Sequence, residues 1–291
     1  MLRDLEGYGP SPPDVSWPNQ AKIAVNFVLN YEEGAELTPA NGDDTCETYG
    51  GEFQLSEKAQ GRRSLSMESI FEYGSRSGIW RLLRLFQQTN TPLTIFATGL
   101  ALQLNTNLCD YLCNQAYEIA GHGWRWIDYA QLSRAEEKQH IIDTVTTIEQ
   151  LTNQRITGWY TGRKSKHTRR LLRELGGFLY DSDSYADDLP YFDPDNHLII
   201  PYTLVCNDFR YCTQPGFSSP NDFLQLLKDT LDYLLLENRT AIMTIGLHSR
   251  ISGHPGRCNA IKTFIEYLET KPTIWLTRRM DIAQFWQDTF S

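Results

Sequence analysis

The sequence predicts an α/β fold, a distorted (β/α) barrel of about seven to eight strands. Strand-like apolar runs and amphipathic helical runs alternate along the 291 residues, which implies parallel strands joined by crossover helices. Polar motifs follow strands spread over the whole chain, as the mouth of a barrel requires. No glycine-rich phosphate fingerprint follows the first strand, which counts against an open nucleotide-binding sheet.

The elements follow in order. Residues 1–20 are rich in Pro and Gly and read as an irregular arm. Ala21 to Leu29 is a strand in which Ile23, Val25, Phe27 and Leu29 alternate. A long loop is expected over about 35 to 66, carrying Gly42, Gly50, Gly51 and Gly61. Helices are expected at Ile79–Gln88, Ala101–Ala116, Ser133–Leu151 and Thr168–Leu175. The third opens on a Ser133…Glu136 capping box, and Gly176-Gly177 closes the fourth. Strands are expected at Leu93–Ala97, Tyr117–Ala120, Ile156–Tyr160, Phe178–Tyr180 and Leu198–Val205. The pattern ends with helix Asn221–Leu236, strand Ala241–Leu247, helix Gly256–Leu268, strand Thr273–Thr277 and helix Asp281–Phe290. No linker, repeat or low-complexity tract divides the chain, so a single domain over 1–291 is expected.

Composition narrows the class. Hydrophobic residues are 41% and charged residues 22%, ordinary for a globular enzyme. The net charge of -9 argues against nucleic acid and anionic membrane surfaces as partners. No apolar run is long enough to span a bilayer, and Met1 to Glu6 has no signal-peptide core, so a cytoplasmic location is expected. The six cysteines show no CxxC pair; Cys109 and Cys113, one helical turn apart, read as buried, reduced helix residues.

Chemistry collects at strand ends. Asn30-Tyr31-Glu32-Glu33-Gly34 places two adjacent carboxylates where the first strand runs out. Like charges so close raise one of the two pKa values, a common way to make a base, although solvated loop acids would look the same in sequence. His122-Gly123-Trp124-Arg125-Trp126, Trp159-Tyr160-Thr161-Gly162-Arg163 and Gly246-Leu247-His248-Ser249-Arg250 stand at three further strand ends. Tyr180-Asp181-Ser182-Asp183-Ser184 adds carboxylates that read as orienters or helix caps. His140 reads as a surface or packing residue; His167, His197 and His254 lie in polar loops and carry no assignment.

The order of these motifs, from about residue 20 to 280, resembles the polysaccharide deacetylase (NodB homology) family. That resemblance puts Glu32 at the family's general base, Glu33 at its metal-binding acid, His122 at its first metal histidine and His248 at its general acid. Trp126 stands where the second metal histidine belongs, and an indole cannot ligate zinc. The family's Arg-Pro-Pro-Tyr segment is replaced by Trp159-Tyr160-Thr161-Gly162, with Arg163 following. These departures, together with the blocks 30–34, 67–76, 122–129, 158–163 and 180–191, look like the PuuE-type allantoinases, a metal-independent branch. The resemblance implies a single catalytic domain that opens the hydantoin ring of (S)-allantoin to allantoate in purine breakdown. It also implies a cytoplasmic homotetramer with no metal and no cofactor.

On this reading Glu32 is the base and His248 the acid. Glu33, His122, Trp126, Tyr160 and Arg163 are the expected contacts to a small ureide; Trp124, Trp126 and Tyr160 could wall its flat ring. Two other enzyme readings remain open, a metal-dependent carbohydrate N-deacetylase and a related cyclic imide hydrolase. A degenerate binding protein is a third, opposed by the retained Glu32, His122 and His248.

Overall fold

A computed structural model of the chain describes residues 3–52 and 61–290. The first strand, β1 (Ile23–Tyr31), is buried along its whole length. After the irregular segment that follows it come α1 (Leu65–Tyr73), α2 (Ile79–Gln88) and β2 (Thr94–Ala97). Next are α3 (Gly99–Leu104), α4 (Thr106–Leu112), β3 (Glu118–Gly121), α5 (Arg134–Thr152), β4 (Gly158–Trp159) and α6 (Thr168–Leu175). Three short strands follow: β5 (Tyr180–Asp181), β6 (Tyr191–Phe192) and β7 (Leu198–Ile199). The chain ends with α7 (Pro220–Glu237), β8 (Ala241–His248), α8 (Ser249–Ser252), α9 (Pro255–Leu268), β9 (Ile274–Leu276) and α10 (Arg279–Phe290).

The strands form one curled half-barrel in the order β6-β7-β5-β4-β3-β2-β1-β8, with β9 beside β1. All pairings are parallel except β6 with β7. One edge of β1 takes β8 over residues 23–30. The other edge is shared: β9 pairs with 23–25 and β2 with 28–31. Opposite β1 the curl stays incomplete. Of the expected strand Leu198–Val205 only Leu198–Ile199 is regular; Ile200 N and Tyr202 N still bond to Asp181 O and Ser184 O on either side of Pro201, which has no N–H to donate. The gap to β8 is spanned by backbone bonds from Ile242 N to Asp188 O (2.8 Å) and from Gly246 N to Cys206 O (2.9 Å).

The period-2 alternation of β1 sorts two interiors. Ile23, Val25, Phe27, Leu29 and Tyr31 join the core beneath the outer helices, with Phe86 and Phe264. Asn26, Val28 and Asn30 face the barrel axis. Val28 packs there with Phe96, Ala120, Tyr160 and Tyr202, and Asn30 donates to the Tyr202 hydroxyl at 2.9 Å. One layer lower, the fully buried Arg279 at the start of α10 fills the axis. Its guanidinium donates to Asn26, Thr244, Ser182 and the carbonyls of Ile200 and Pro201. Glu118 caps the same helix through Met280 N (2.9 Å) and accepts from the Tyr180 hydroxyl (2.6 Å); burial raises its pKa.

Two helix expectations change. The loop expected to reach residue 66 ends earlier: Ser64 caps α1, its Oγ accepting from Met67 N. A wide turn, Gly74–Gly78, then carries the helix into α2. Gly74 and Gly78 permit close approach: a Cβ on Gly74 would strike Glu33, and one on Gly78 the carbonyl of Ser249. The helix expected at Ala101–Ala116 breaks at Asn105 (φ -129, ψ 75). The Asn105 side chain caps the second piece through Leu108 N and donates to Tyr31 and Ser75. Among the described residues no helix is long and apolar enough to cross a membrane.

Candidate active site

The expected carboxylate and both expected histidines meet at the C-terminal ends of the strands. Glu32 leaves β1 with the parity of Asn30 and Val28, so it crowns the axial face and is 1% exposed. His122 leaves β3, its backbone fixed by His122 N to Ala97 O (2.9 Å). Its Nε2 lies 2.9 Å from Glu32 Oε1, and its Nδ1 lies 2.6 Å from the Tyr160 carbonyl. A carbonyl only accepts, so Nδ1 carries a proton there, and the second contact holds one more proton between Nε2 and Oε1. The imidazole stacks on the Tyr160 ring at 5.1 Å and 13°.

His248 ends β8 and enters from the other side. Its Nε2 is 3.7 Å from Glu32 Oε1. Its Nδ1 is 2.7 Å from Asp208 Oδ1, while Asp208 Oδ2 accepts from the backbone of His248 (2.7 Å) and Ser252 (3.2 Å). The carboxylate fixes the tautomer and ring orientation and leaves Nε2 facing Glu32. Arg250, 1% exposed, completes the cluster. Its Nε donates to Gly50 O at 2.7 Å, and its Cζ lies 4.4 Å from the centre of the Phe71 ring. One terminal nitrogen is 2.7 Å from Glu32 Oε2 and the other 3.5 Å from Glu33 Oε1. Neither contact has hydrogen-bond geometry, so Glu32 Oε2 and both terminal nitrogens lack hydrogen-bond partners.

The electrostatics set the two acids apart. Burial pushes the Glu32 pKa up, but the charges of Arg250 and His248 and the His122 hydrogen bond outweigh it, holding the carboxyl well below its ordinary range. It is Glu33 whose pKa is raised, by burial, against the pull of Arg250 and Ser249. Glu33 has the parity of Tyr31 and turns toward the helix layer. It accepts from the Ser249 hydroxyl, Arg250 N (3.3 Å) and Glu32 N (2.9 Å). Both its oxygens are engaged by the chain, and it braces Arg250.

Trp126 packs with Met67 and Phe71. Its ring lies 6.2 Å from Phe209 and 4.0 Å from the Arg163 guanidinium carbon. Arg163 is part-exposed beside Glu47, 3.4 Å away, at the rim. It does not bind Asp181, which takes Arg169 and His197, or Asp183, whose carboxylate accepts from Thr161 N and Gly162 N while its backbone oxygen accepts from Arg169 and Lys164. Asp183 thus shapes the loop that carries Arg163. Tyr160 is buried, its hydroxyl 2.8 Å from that of the half-exposed Tyr185. Above the cluster, Gly50 touches Arg250 and Trp126, and Tyr49 lies on Phe209 at 4.8 Å. The described part of the long loop therefore roofs the site.

Sequence reading missed Asp208 and Arg250. Arg250 stood in a quoted motif without a role. Asp208 lies in a short 3-10 turn, Asp208–Cys212; the only signal for it was that a catalytic imidazole needs an acceptor at its second nitrogen.

The deacetylase pattern implies a metal held by the second acid and two histidines. The residues here do not fit one. Glu33 is engaged by Ser249 and Arg250, and both His122 nitrogens face acceptors already. Trp126 offers no lone pair, and a guanidinium lies beside both acids. Among the described residues, no three His, Cys, Asp or Glu side chains converge as ligands.

The polysaccharide deacetylase family model matches residues 61–177. A Schizosaccharomyces pombe protein named as a polysaccharide deacetylase is 38% identical over 308 residues, spanning 98% of this chain and 96% of its own. The crystal structure of a Pseudomonas aeruginosa PAO1 protein described as a polysaccharide deacetylase is 46% identical, with a TM-score of 0.97, covering 100% of this chain and 99% of that one. The crystal structure of PuuE allantoinase is 45% identical, also with a TM-score of 0.97, covering 100% and 98%. Shared sequence over nearly the whole length, on a common half-barrel, makes this chain a member of the polysaccharide deacetylase family.

Proposed function

We propose that this family member hydrolyses a cyclic amide without a metal, opening the hydantoin ring of (S)-allantoin to allantoate. The observation that carries the reading is the donor set. Trp126 occupies the place of a metal histidine, and Arg250 is the cation beside Glu32 and Glu33. The 45% identity to PuuE allantoinase supports the choice of substrate.

Ring opening needs an activated water and a proton for the leaving nitrogen. Glu32 stays ionised across the neutral range, and its Oε2, ion-paired with Arg250 but accepting no hydrogen bond, takes the proton of an attacking water. His248, held by Asp208, delivers a proton from Nε2 to the leaving nitrogen. The two groups stand 3.7 Å apart, so the proton gained by Glu32 returns to His248 after product leaves. His122 locks the position of Glu32. Trp126 and Tyr160 wall a flat ring, and the Tyr49-Gly50 roof excludes water. Arg163 at the rim supplies donors for a ureido side chain. Assembly as a homotetramer is part of the same proposal, tested by light scattering.

The test is allantoin turnover by the purified chain, followed as allantoate, before and after dialysis against a chelator. Equal turnover is expected. No turnover of allantoin alongside release of acetate from N-acetylglucosamine oligomers overturns the reading. Turnover of a cyclic imide in place of allantoin moves the substrate assignment to that class.

A further inference from the structure

Arg250 is buried and carries two terminal nitrogens without hydrogen-bond partners. Glu32 Oε2, 2.7 Å away, lacks a donor as well. Polar atoms left without a hydrogen bond when buried are costly, so native proteins keep few of them without a use. The arginine cannot turn aside. Its Nε is tied to Gly50 O, Phe71 lies against it, and Glu33, braced by Ser249, stands on the far side.

We propose that Arg250 is the resident cation of this site and a catalytic residue: it donates a guanidinium N–H to the carbonyl oxygen of the amide being hydrolysed. The inference rests on the amide-hydrolysis reading above. In the tetrahedral adduct, the hydroxyl derived from water and the former carbonyl oxygen sit side by side on one carbon. An acceptor and a donor 2.7 Å apart fit that pair, with Glu32 facing the hydroxyl and Arg250 the oxyanion. The steps balance. The water oxygen bonds to the carbonyl carbon as its proton passes to Glu32, and the C=O π pair moves onto the oxygen beside Arg250. When that pair returns, the C–N bond breaks and nitrogen keeps its electrons, taking a proton from His248. Arginine suits this place: its fork is rigid, always charged and less strongly hydrated than an ammonium.

The test compares Arg250→Met, Arg250→Lys and Arg250→Gly with the native chain, each checked for fold by circular dichroism. The substrate is whichever of allantoin, hydantoin, a cyclic imide and an N-acetylglucosamine oligomer the native chain turns over. Arg250→Met is expected to lose about 10²–10³ in kcat with little change in KM. Arg250→Lys should lose less, and guanidinium chloride should restore part of the Arg250→Gly rate. A folded Arg250→Met with near-native kcat overturns the proposal. So does an Arg250→Gly loss that guanidinium leaves untouched while Arg250→Lys stays fully active. Should allantoin fail as a substrate while another amide is turned over, the allantoin reading falls, and the role of Arg250 is still decided on that amide. Should nothing be turned over, calorimetric binding of N-carbamoylglycine, a product-like carboxylate, decides it: affinity equal in native chain and Arg250→Met overturns the assignment.

Discussion

Asp208 grips His248 twice, through ring Nδ1 and through the backbone N–H, both at 2.7 Å. The paired contact fixes where the imidazole points and which nitrogen is left for chemistry. Asp208→Asn keeps the shape but offers an amide where a carboxylate stabilised the ring. We expect kcat to fall about 10²–10⁴-fold, the usual worth of a positioned acid–base group, with KM nearly unchanged. A kcat within tenfold of native would remove Asp208 from the proton path.

Glu32→Gln should abolish turnover while the chain stays folded. The folded pKa of Glu32 is depressed, so the carboxylate contributes stability that is present above its ordinary value of 4.5 and lost as pH falls toward the folded value. Urea midpoints of native and Glu32→Gln proteins should therefore differ at pH 7 and converge below about pH 4.5. The pH profile of kcat/KM should also show no limb between pH 4 and 5 from this group. Such a limb, lost on Glu32→Gln in a residual-activity assay, would contradict the depressed value.

Glu36 behaves in the opposite sense. Burial pushes its pKa up from 4.5 to about 7, against its bond from Gly34 N. The unfolded chain releases that proton first, so stability falls as pH rises from 4.5 to about 7. Glu36→Gln keeps the acceptor and removes the titration. Its stability over that window should be flatter than native by roughly 2–3 kcal/mol, read from urea unfolding at several pH values.

Trp126→His restores a histidine at the position the deacetylase pattern reserves for one. With Arg250 still beside both acids, no stoichiometric zinc should be retained after gel filtration. One zinc per chain, measured by plasma emission, would show that the indole alone excludes the metal.

Arg279→Met removes a buried guanidinium from Asn26, Thr244, Ser182 and two carbonyls. Several buried groups are then left unmatched, and about 3–5 kcal/mol of stability should be lost. A denaturant midpoint near the native value would show that methionine fills the axis equally well.

How much of this was legible in sequence depends on how regular each segment is. β1 and β8 are long and buried, so their apolar runs announce strands and place Glu32 and His248 at their ends. The same alternation already separates Glu32 from Glu33: one shares the parity of Asn30, the other that of Tyr31. Adjacency alone says that one of two carboxylates is raised; parity and burial decide that it is Glu33. The helix at Leu65–Tyr73 was hidden because Gly74 and Gly78 punctuate it for packing against Glu33 and Ser249, a need that only the tertiary contact reveals. Asp208 and the Gly50 roof come from irregular backbone, where spacing carries no periodic signal, so their meeting with His248 and Arg250 could not be read from the chain alone.

The Arg279 plug also bears on how this molecule can be assembled. Its partner Asn26 lies 253 positions earlier in the chain. Neighbouring βα units can collapse early through local contacts, but the axis of the half-barrel stays unsealed until the start of the last helix arrives. So long a loop closure makes consolidation a late event, and a chain halted before it exposes polar strand interiors. The residue that completes the barrel floor thus ties the start of the last helix to the first strand, a non-local contact of the kind that slows folding.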